Sequence, residues 1–229
     1  MRALPLLGLL AVVSSTSALA ARVTETRKIG DFQSIEVSGG VTLEVKKGPT
    51  SLSIEGEAES VKLYTTEVVG NVLQIKSKSK SWNPDRGELV VKVSTPSLSR
   101  LEASGGVRAT LTDVAAPKFS ADLSGGVQLD AQKLALDTLE LEASGGVALN
   151  LSGKARDAKL ILSGGVELKG QALELGKVKV DASGGCNAEV TVKESVIGDI
   201  SGGVGLTVRG NPPQAKVHTG GGADVKYID

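Results

Sequence analysis

The chain has 229 residues, 26 Lys and Arg against 26 Asp and Glu, 2% aromatic residues and 29 glycines. The even charge gives none of the basic footprint a nucleic-acid binder needs, and one cysteine rules out an internal disulfide framework. Few aromatics beside abundant Val, Leu and Ala describe a narrow core built of small aliphatic layers.

Residues 1–20 read as a secretory signal peptide. Arg2 supplies a positive start, Leu4 to Val13 is an apolar run broken only by Pro5 and Gly8, and Ala18-Leu19-Ala20 is a small-x-small cleavage site. The run is too short to span a bilayer, and no later segment approaches the roughly 20 apolar residues of a transmembrane helix. Cleavage after Ala20 removes one base and no acid, leaving 25 bases against 26 acids. The expected location is extracytoplasmic: periplasmic, secreted or at the cell surface. Residues 21–28 read as an N-terminal linker, and 29–229 as a single domain.

Within that domain, 29–100 is the less regular part. It opens with one clear unit, Phe32 to Val45, in which Ile35, Val37, Val41, Leu43 and Val45 alternate about a Ser38-Gly39-Gly40 centre. Strands are expected around Leu52–Ile54, Val72–Ile75 and Leu89–Val93, with a short helix or another strand over Glu59 to Val69. Lys76, Lys78 and Lys80 alternate with serines, a pattern of edge-strand lysines that discourages sheet-to-sheet aggregation or attracts anionic headgroups. Ser81 to Gly87, with Trp82, reads as a loop.

From residue 101 onward the repeat takes over. Ser-Gly-Gly followed by an apolar residue occurs at Gly105-Gly106, Gly125-Gly126, Gly145-Gly146, Gly164-Gly165, Gly184-Gly185 and Gly202-Gly203, as at Gly39-Gly40, with a degenerate copy at Gly220-Gly221-Gly222. Successive motif serines from Ser104 to Ser201 are 20, 20, 19, 20 and 18 residues apart. Apolar residues alternate on both sides of each motif, for example Leu141 and Ala143 before and Val147, Leu149 and Leu151 after. Period-two alternation means strands with one buried face. Each repeat is then strand, Gly-Gly bend, strand and a variable return. A lone coil cannot bury enough to hold itself, so coils must stack cooperatively. The fold class is all-β: a right-handed parallel β-helix, or solenoid, of coils about twenty residues long. Glycine suits a bend that needs positive φ or close backbone approach, and the preceding serines would stack as a hydroxyl ladder.

These residues resemble the bacterial family called the putative autotransporter-adhesin head GIN domain, a domain of unknown function. The likeness lies in Phe32-x-x-Ile35-x-Val37-Ser38-Gly39-Gly40-Val41-x-Leu43 and the later Ser-Gly-Gly coils, over roughly residues 29 to 225. The resemblance implies an exported β-helical protein without known catalysis.

The candidate binding residues are acids two positions before each motif: Glu36, Glu102, Asp122, Glu142, Asp181 and Asp199, with Ile161 and His218 in the remaining copies. Coils in register would stack Glu102, Asp122 and Glu142, then Asp181 and Asp199 beyond the gap at Ile161. Carboxylates about 5 Å apart repel, and a hard cation or a basic partner would relieve that. The alternative is a solvated face neutralised by Arg100, Lys159 and Lys179. Cys186 fills a slot that is Val in most copies and reads as core. His218 has no His or Cys partner, which leaves zinc and nucleophile–His chemistry without support; no cofactor or metal is expected.

Three readings remain open at this stage. One is a non-catalytic extracytoplasmic module for binding, adhesion or scaffolding, its partner an envelope or extracellular protein or a glycan. A second is a self-assembling envelope element using open strand edges, which Pro212-Pro213 and the charged Lys226 to Asp229 tail oppose. The third is a carbohydrate-active enzyme, which would need convergent acids with basic and aromatic residues in a cleft; few aromatics and short returns speak against it, so no catalysis is expected. The oligomeric state is open.

Overall fold

A computed structural model describes residues 22–78 and 88–229. The signal-peptide reading and the readings on Lys80 and the Ser81–Gly87 loop lie outside the described residues. In chain order the elements are β1 (Arg22–Arg27), β2 (Ser34–Ser38), β3 (Val41–Lys47), β4 (Ser51–Glu57), α1 (Ala58–Leu63), β5 (Tyr64–Val69), β6 (Val72–Ser77) and β7 (Leu89–Thr95). They continue with β8 (Arg100–Gly105), β9 (Arg108–Thr112), β10 (Ala115–Gly125), β11 (Gln128–Gly145), β12 (Ala148–Gly164) and β13 (Glu167–Gly184). The last are β14 (Asn187–Gly202), β15 (Gly205–Arg209), β16 (Gln214–Gly221) and β17 (Asp224–Ile228).

The repeat winds as a parallel β-helix. On the side before the Gly-Gly corner, β8, the ends of β10 to β14, and β16 pair in parallel, so that Ser104, Ser124, Ser144, Ser163, Ser183, Ser201 and Gly220 face one another in sequence. On the side after the corner, β3, β9, the starts of β11 to β14, β15 and β17 form a second parallel ladder. The inward residues make one continuous core. Its narrowness shows in paired sizes: Leu101 with Ala103, Ala121 with Leu123, Leu141 with Ala143, and Val180 with Ala182 are all buried. A large side chain beside a small one keeps the volume of these four layers nearly constant, as close packing requires.

The corner assigns different tasks to the two glycines. The first of each pair has positive φ at Gly39, Gly105, Gly125, Gly145, Gly164, Gly184 and Gly202, and the second has not. The corners also touch: the Gly185 N–H donates to the Gly164 carbonyl at 2.8 Å, and Gly203 donates to Gly184 at 2.7 Å. The serines before the corner stack in register on the outer surface, yet no hydroxyl-to-hydroxyl bond links them among the described residues. One strand spacing, about 4.8 Å, exceeds hydrogen-bond reach, so the expected ladder is a stack without bonds.

Residues 29–100 do not simply precede the regular coils. The β2–β3 unit lies inside the stack: β2 pairs with β8 on one edge and β6 on the other, and β3 pairs with β9 and β7. The chain leaves β3, runs outward through β4, α1 and β5, and returns as β6 and β7 to build a coil on the far side of its own first strands. Beyond that coil the sheet direction reverses. β5 pairs antiparallel with β6, while β4 lies antiparallel between β7 and β1. Both halves of the open expectation over Glu59–Val69 therefore occur, as α1 and then β5.

Two expectations change here. Residues 21–28 do not form a linker, because β1 occupies 22–27 and pairs along its whole length with β4. Its anchor is Arg27, whose guanidinium donates to the Tyr64 carbonyl (2.8 Å), the Thr66 hydroxyl (3.1 Å) and the Val61 carbonyl (3.1 Å). Lys76 and Lys78 do not mark a sheet edge, since the tight return at Gly70 lays β5 over β6. Lys76 instead pairs with Glu36 at 2.9 Å, and the Lys78 ammonium donates to the Lys62 carbonyl at 3.3 Å.

Candidate functional site

The strand geometry brings the sequence-predicted acids together. Gln74, Glu36, Glu102, Asp122, Glu142, Ile161, Asp181, Asp199 and His218 are successive register partners. They form one outward column along the rod, with neighbours a strand spacing of about 4.8 Å apart. Ile161 interrupts it as expected. One residue-pair upstream, a parallel outward column carries Ser34, Arg100, Ser120, Glu140, Lys159, Lys179, Ile197 and Lys216. Period-two alternation puts both columns, and the serine column, on the same face.

The basic column neutralises part of the acidic one. Arg100 contacts Glu102 at 2.5 Å and Asp122 at 3.8 Å, and Lys179 contacts Asp181 at 3.5 Å. Glu36 is held by Lys76 and accepts a hydrogen bond from the Gln74 amide at 2.9 Å. Side chains in the Arg100 cluster remain 43–49% exposed, so these pairs are loose and screened. Glu142 and Asp199 have no ion-pair partner among the described residues. The carboxylates stand side by side, one per coil. Among the described residues no group of three or more His, Cys, Asp or Glu could hold a metal ion. The chemistry of the array is that of a long surface strip, open to basic or hydrogen-bonding groups along its length.

The other singled-out residues sit apart from this strip. Cys186 is fully buried, and its thiol donates to the Ser183 carbonyl at 3.2 Å. His218 is exposed beside Asp199. A feature the repeat pattern did not signal lies on the second face, where Glu44, Lys46, Ser51, Ser53, Lys92 and Ser94 line part of a shallow concavity of about 400 Å3. Ser51 and Ser94 share a hydrogen bond of 2.7 Å there. It forms because β4 reverses direction against β7 and brings Ser51 opposite Ser94, a pairing that no spacing in the sequence encodes.

A model of the family described as putative auto-transporter adhesin, head GIN domain, matches residues 31–212. Among solved structures, a putative adhesin from Bacteroides fragilis is 18% identical with a TM-score of 0.86, over 91% of this chain and 97% of that one. A putative adhesin from Parabacteroides merdae is 16% identical with a TM-score of 0.63, over 91% and 96%. A putative lipid binding protein from Parabacteroides distasonis is 17% identical with a TM-score of 0.62, over 91% and 97%. At these identities the likeness is one of fold. No curated protein matches the chain.

Proposed function

The chain belongs to the putative auto-transporter adhesin, head GIN domain family, and on that premise we propose that it is an exported, non-catalytic adhesion module. Its partner is an envelope or extracellular protein or a glycan, gripped along the outer face of the rod. The observation that carries this reading is the strip of serine, acidic and base-rich columns, in register from β2 to β14 and broken in the acidic column at Ile161. Each coil offers a similar set of groups at a constant spacing, which suits an extended partner contacted many times weakly. The apolar run with its Ala18-Leu19-Ala20 cut site supports export, and the family supports an extracytoplasmic place.

The test is capture from a solubilised bacterial envelope fraction, together with a glycan array, using the wild-type chain and a Glu102→Gln, Asp122→Asn, Glu142→Gln variant. Retention of a specific protein or glycan that falls roughly tenfold in the variant supports the strip as the site. Equal retention by both proteins moves the site off the strip. Failure of the wild type to retain either class, or glycan cleavage by the purified protein, overturns the reading.

A further inference from the structure

The two ends of the rod differ. At the end where the chain enters, α1 buries Ser60 and Val61, and the antiparallel strands close the stack. That end is also stepped, because β1 lies two strands beyond β7 while β5 lies only one beyond β6. At the other end the last coil is level and uncovered among the described residues. β17 pairs only with β15, and β16 only with β14. The core residues Val217, Ala223 and Val225 are left partly buried. Of the five exposed large hydrophobic residues among the described ones, Tyr227 (46%) and Ile228 (37%) are adjacent on β17.

We infer that β17 is the seam of a two-fold dimer, in which the level end of one copy meets the same end of a second copy. Three observations on the strand lead there. The first is its backbone. The Asp224 N–H donates to the Val204 carbonyl of the coil beneath at 2.9 Å. In a parallel ladder alternate residues bond to opposite sides, so the N–H and C=O of Val225 and Tyr227 point to the free edge.

The second is charge. Asp224 and Lys226 flank Val225 on the outward face. When β17 pairs antiparallel with its copy about Val225, each Asp224 falls opposite the Lys226 of the second copy, twice over. Open-ended stacking onto the stepped end offers no such self-complementarity, and a closed two-fold interface is the common solution for identical chains.

The third is size. The same register sets Tyr227 against Ala223 of the second copy on the inward side, with Val225 against Val225 between them. The core already sets large against small between neighbouring strands at Leu101–Ala121–Leu141 and Ala103–Leu123–Ala143. In this arrangement Val225 exchanges backbone hydrogen bonds with its counterpart, and the Tyr227 N–H reaches the Ala223 carbonyl across the seam. The lysine that would blunt an edge strand here finds an acid.

Analytical ultracentrifugation of the whole chain tests this, with circular dichroism to establish that each variant is folded. The wild type is expected to show a dimer whose fraction rises with concentration. Asp224→Lys and Lys226→Asp should each weaken that dimer roughly tenfold, by placing like charges opposite one another twice. The double variant, with both charges exchanged, should recover it. A wild type that stays monomeric up to roughly 0.1 mM, single reversals without effect, or a double variant no tighter than the singles would each overturn the inference. The reversal pattern also separates this seam from a head-to-tail contact through Arg22, which the double exchange would not restore.

Discussion

A Cβ placed on Gly184 would fall 2.8 Å from the carbonyl oxygen of Gly164, the glycine at the same corner one coil below. Gly184 also has φ +93°, a conformation that costs an L side chain about 1–2 kcal/mol before any clash. Its neighbour Gly185 has no positive φ, and a Cβ there would sit an ordinary 3.8 Å from the same oxygen. Gly184→Ala is therefore expected to destabilise by about 2–4 kcal/mol. Gly185→Ala should stay within about 0.5 kcal/mol of the wild type, helped by a less flexible unfolded chain. Urea unfolding midpoints compare the pair directly, and equal losses would refute the division of labour.

Arg27 should matter beyond its charge. Its fork reaches two carbonyls and a hydroxyl on α1 and β5, while Nε pairs with Glu25 at 2.8 Å. Arg27→Ala unties β1 from the cap, at a cost of about 1.5–3 kcal/mol. Arg27→Lys keeps the charge but cannot reproduce the planar fork, so it should recover less than half of the loss. Hydrogen exchange at the β1 amides reads the local opening, which should accelerate in both variants and more in the alanine one.

These two sites also show what the sequence could convey. The Ser-Gly-Gly interval fixed the coil length, and the alternation around it fixed which residues turn inward. Together they were enough to stack Glu102, Asp122 and Glu142 correctly. The difference between Gly184 and Gly185 was hidden, because both are glycine and only the backbone angle separates them. Arg27 was hidden because its partners, Val61, Tyr64 and Thr66, lie 34 to 39 residues away. The placement of β6–β7 outside β2–β3 was hidden for the same reason: period-two patterns mark strands but not the order in which non-adjacent strands pair. The concavity beside Ser51 follows from that order and so was equally out of reach.

Arg100 bridges Glu102 and Asp122 across two coils, so its replacement tests whether the acidic strip is self-neutralised. Arg100→Gln should cost under about 1 kcal/mol, since the pairs are half-exposed. Arg100→Glu adds a fifth acid to Glu36, Glu102, Asp122 and Glu142. It should lower the melting temperature more at 10 mM than at 500 mM salt, where the Debye length shrinks from about 30 Å to well under 10 Å. In the wild type, calcium and chelator should leave the melting temperature unchanged, because Arg100 and Lys179 already sit among the carboxylates. A calcium-dependent rise would mean that the cations on the strip are not sufficient and that a metal ion completes it.

Cys186 replaces the valine found at the equivalent corner position in Val127, Val147, Val166 and Val204, and it is as fully buried as they are. Its thiol makes two weak contacts, to Ser183 at 3.2 Å and Gly164 at 3.5 Å, worth less than the packing around them. Cys186→Val restores the residue of the other coils and should change stability by less than about 1.5 kcal/mol. Cys186→Asp puts an ionisable group among aliphatic side chains with no cation at hand, and should unfold the surrounding coils or cost several kcal/mol. In the native protein a thiol reagent should react only as fast as the coils open, so its rate should rise with urea in step with unfolding. Immediate labelling in the absence of denaturant would show that the coil around Cys186 opens locally and that the core there is not the continuous aliphatic stack described above.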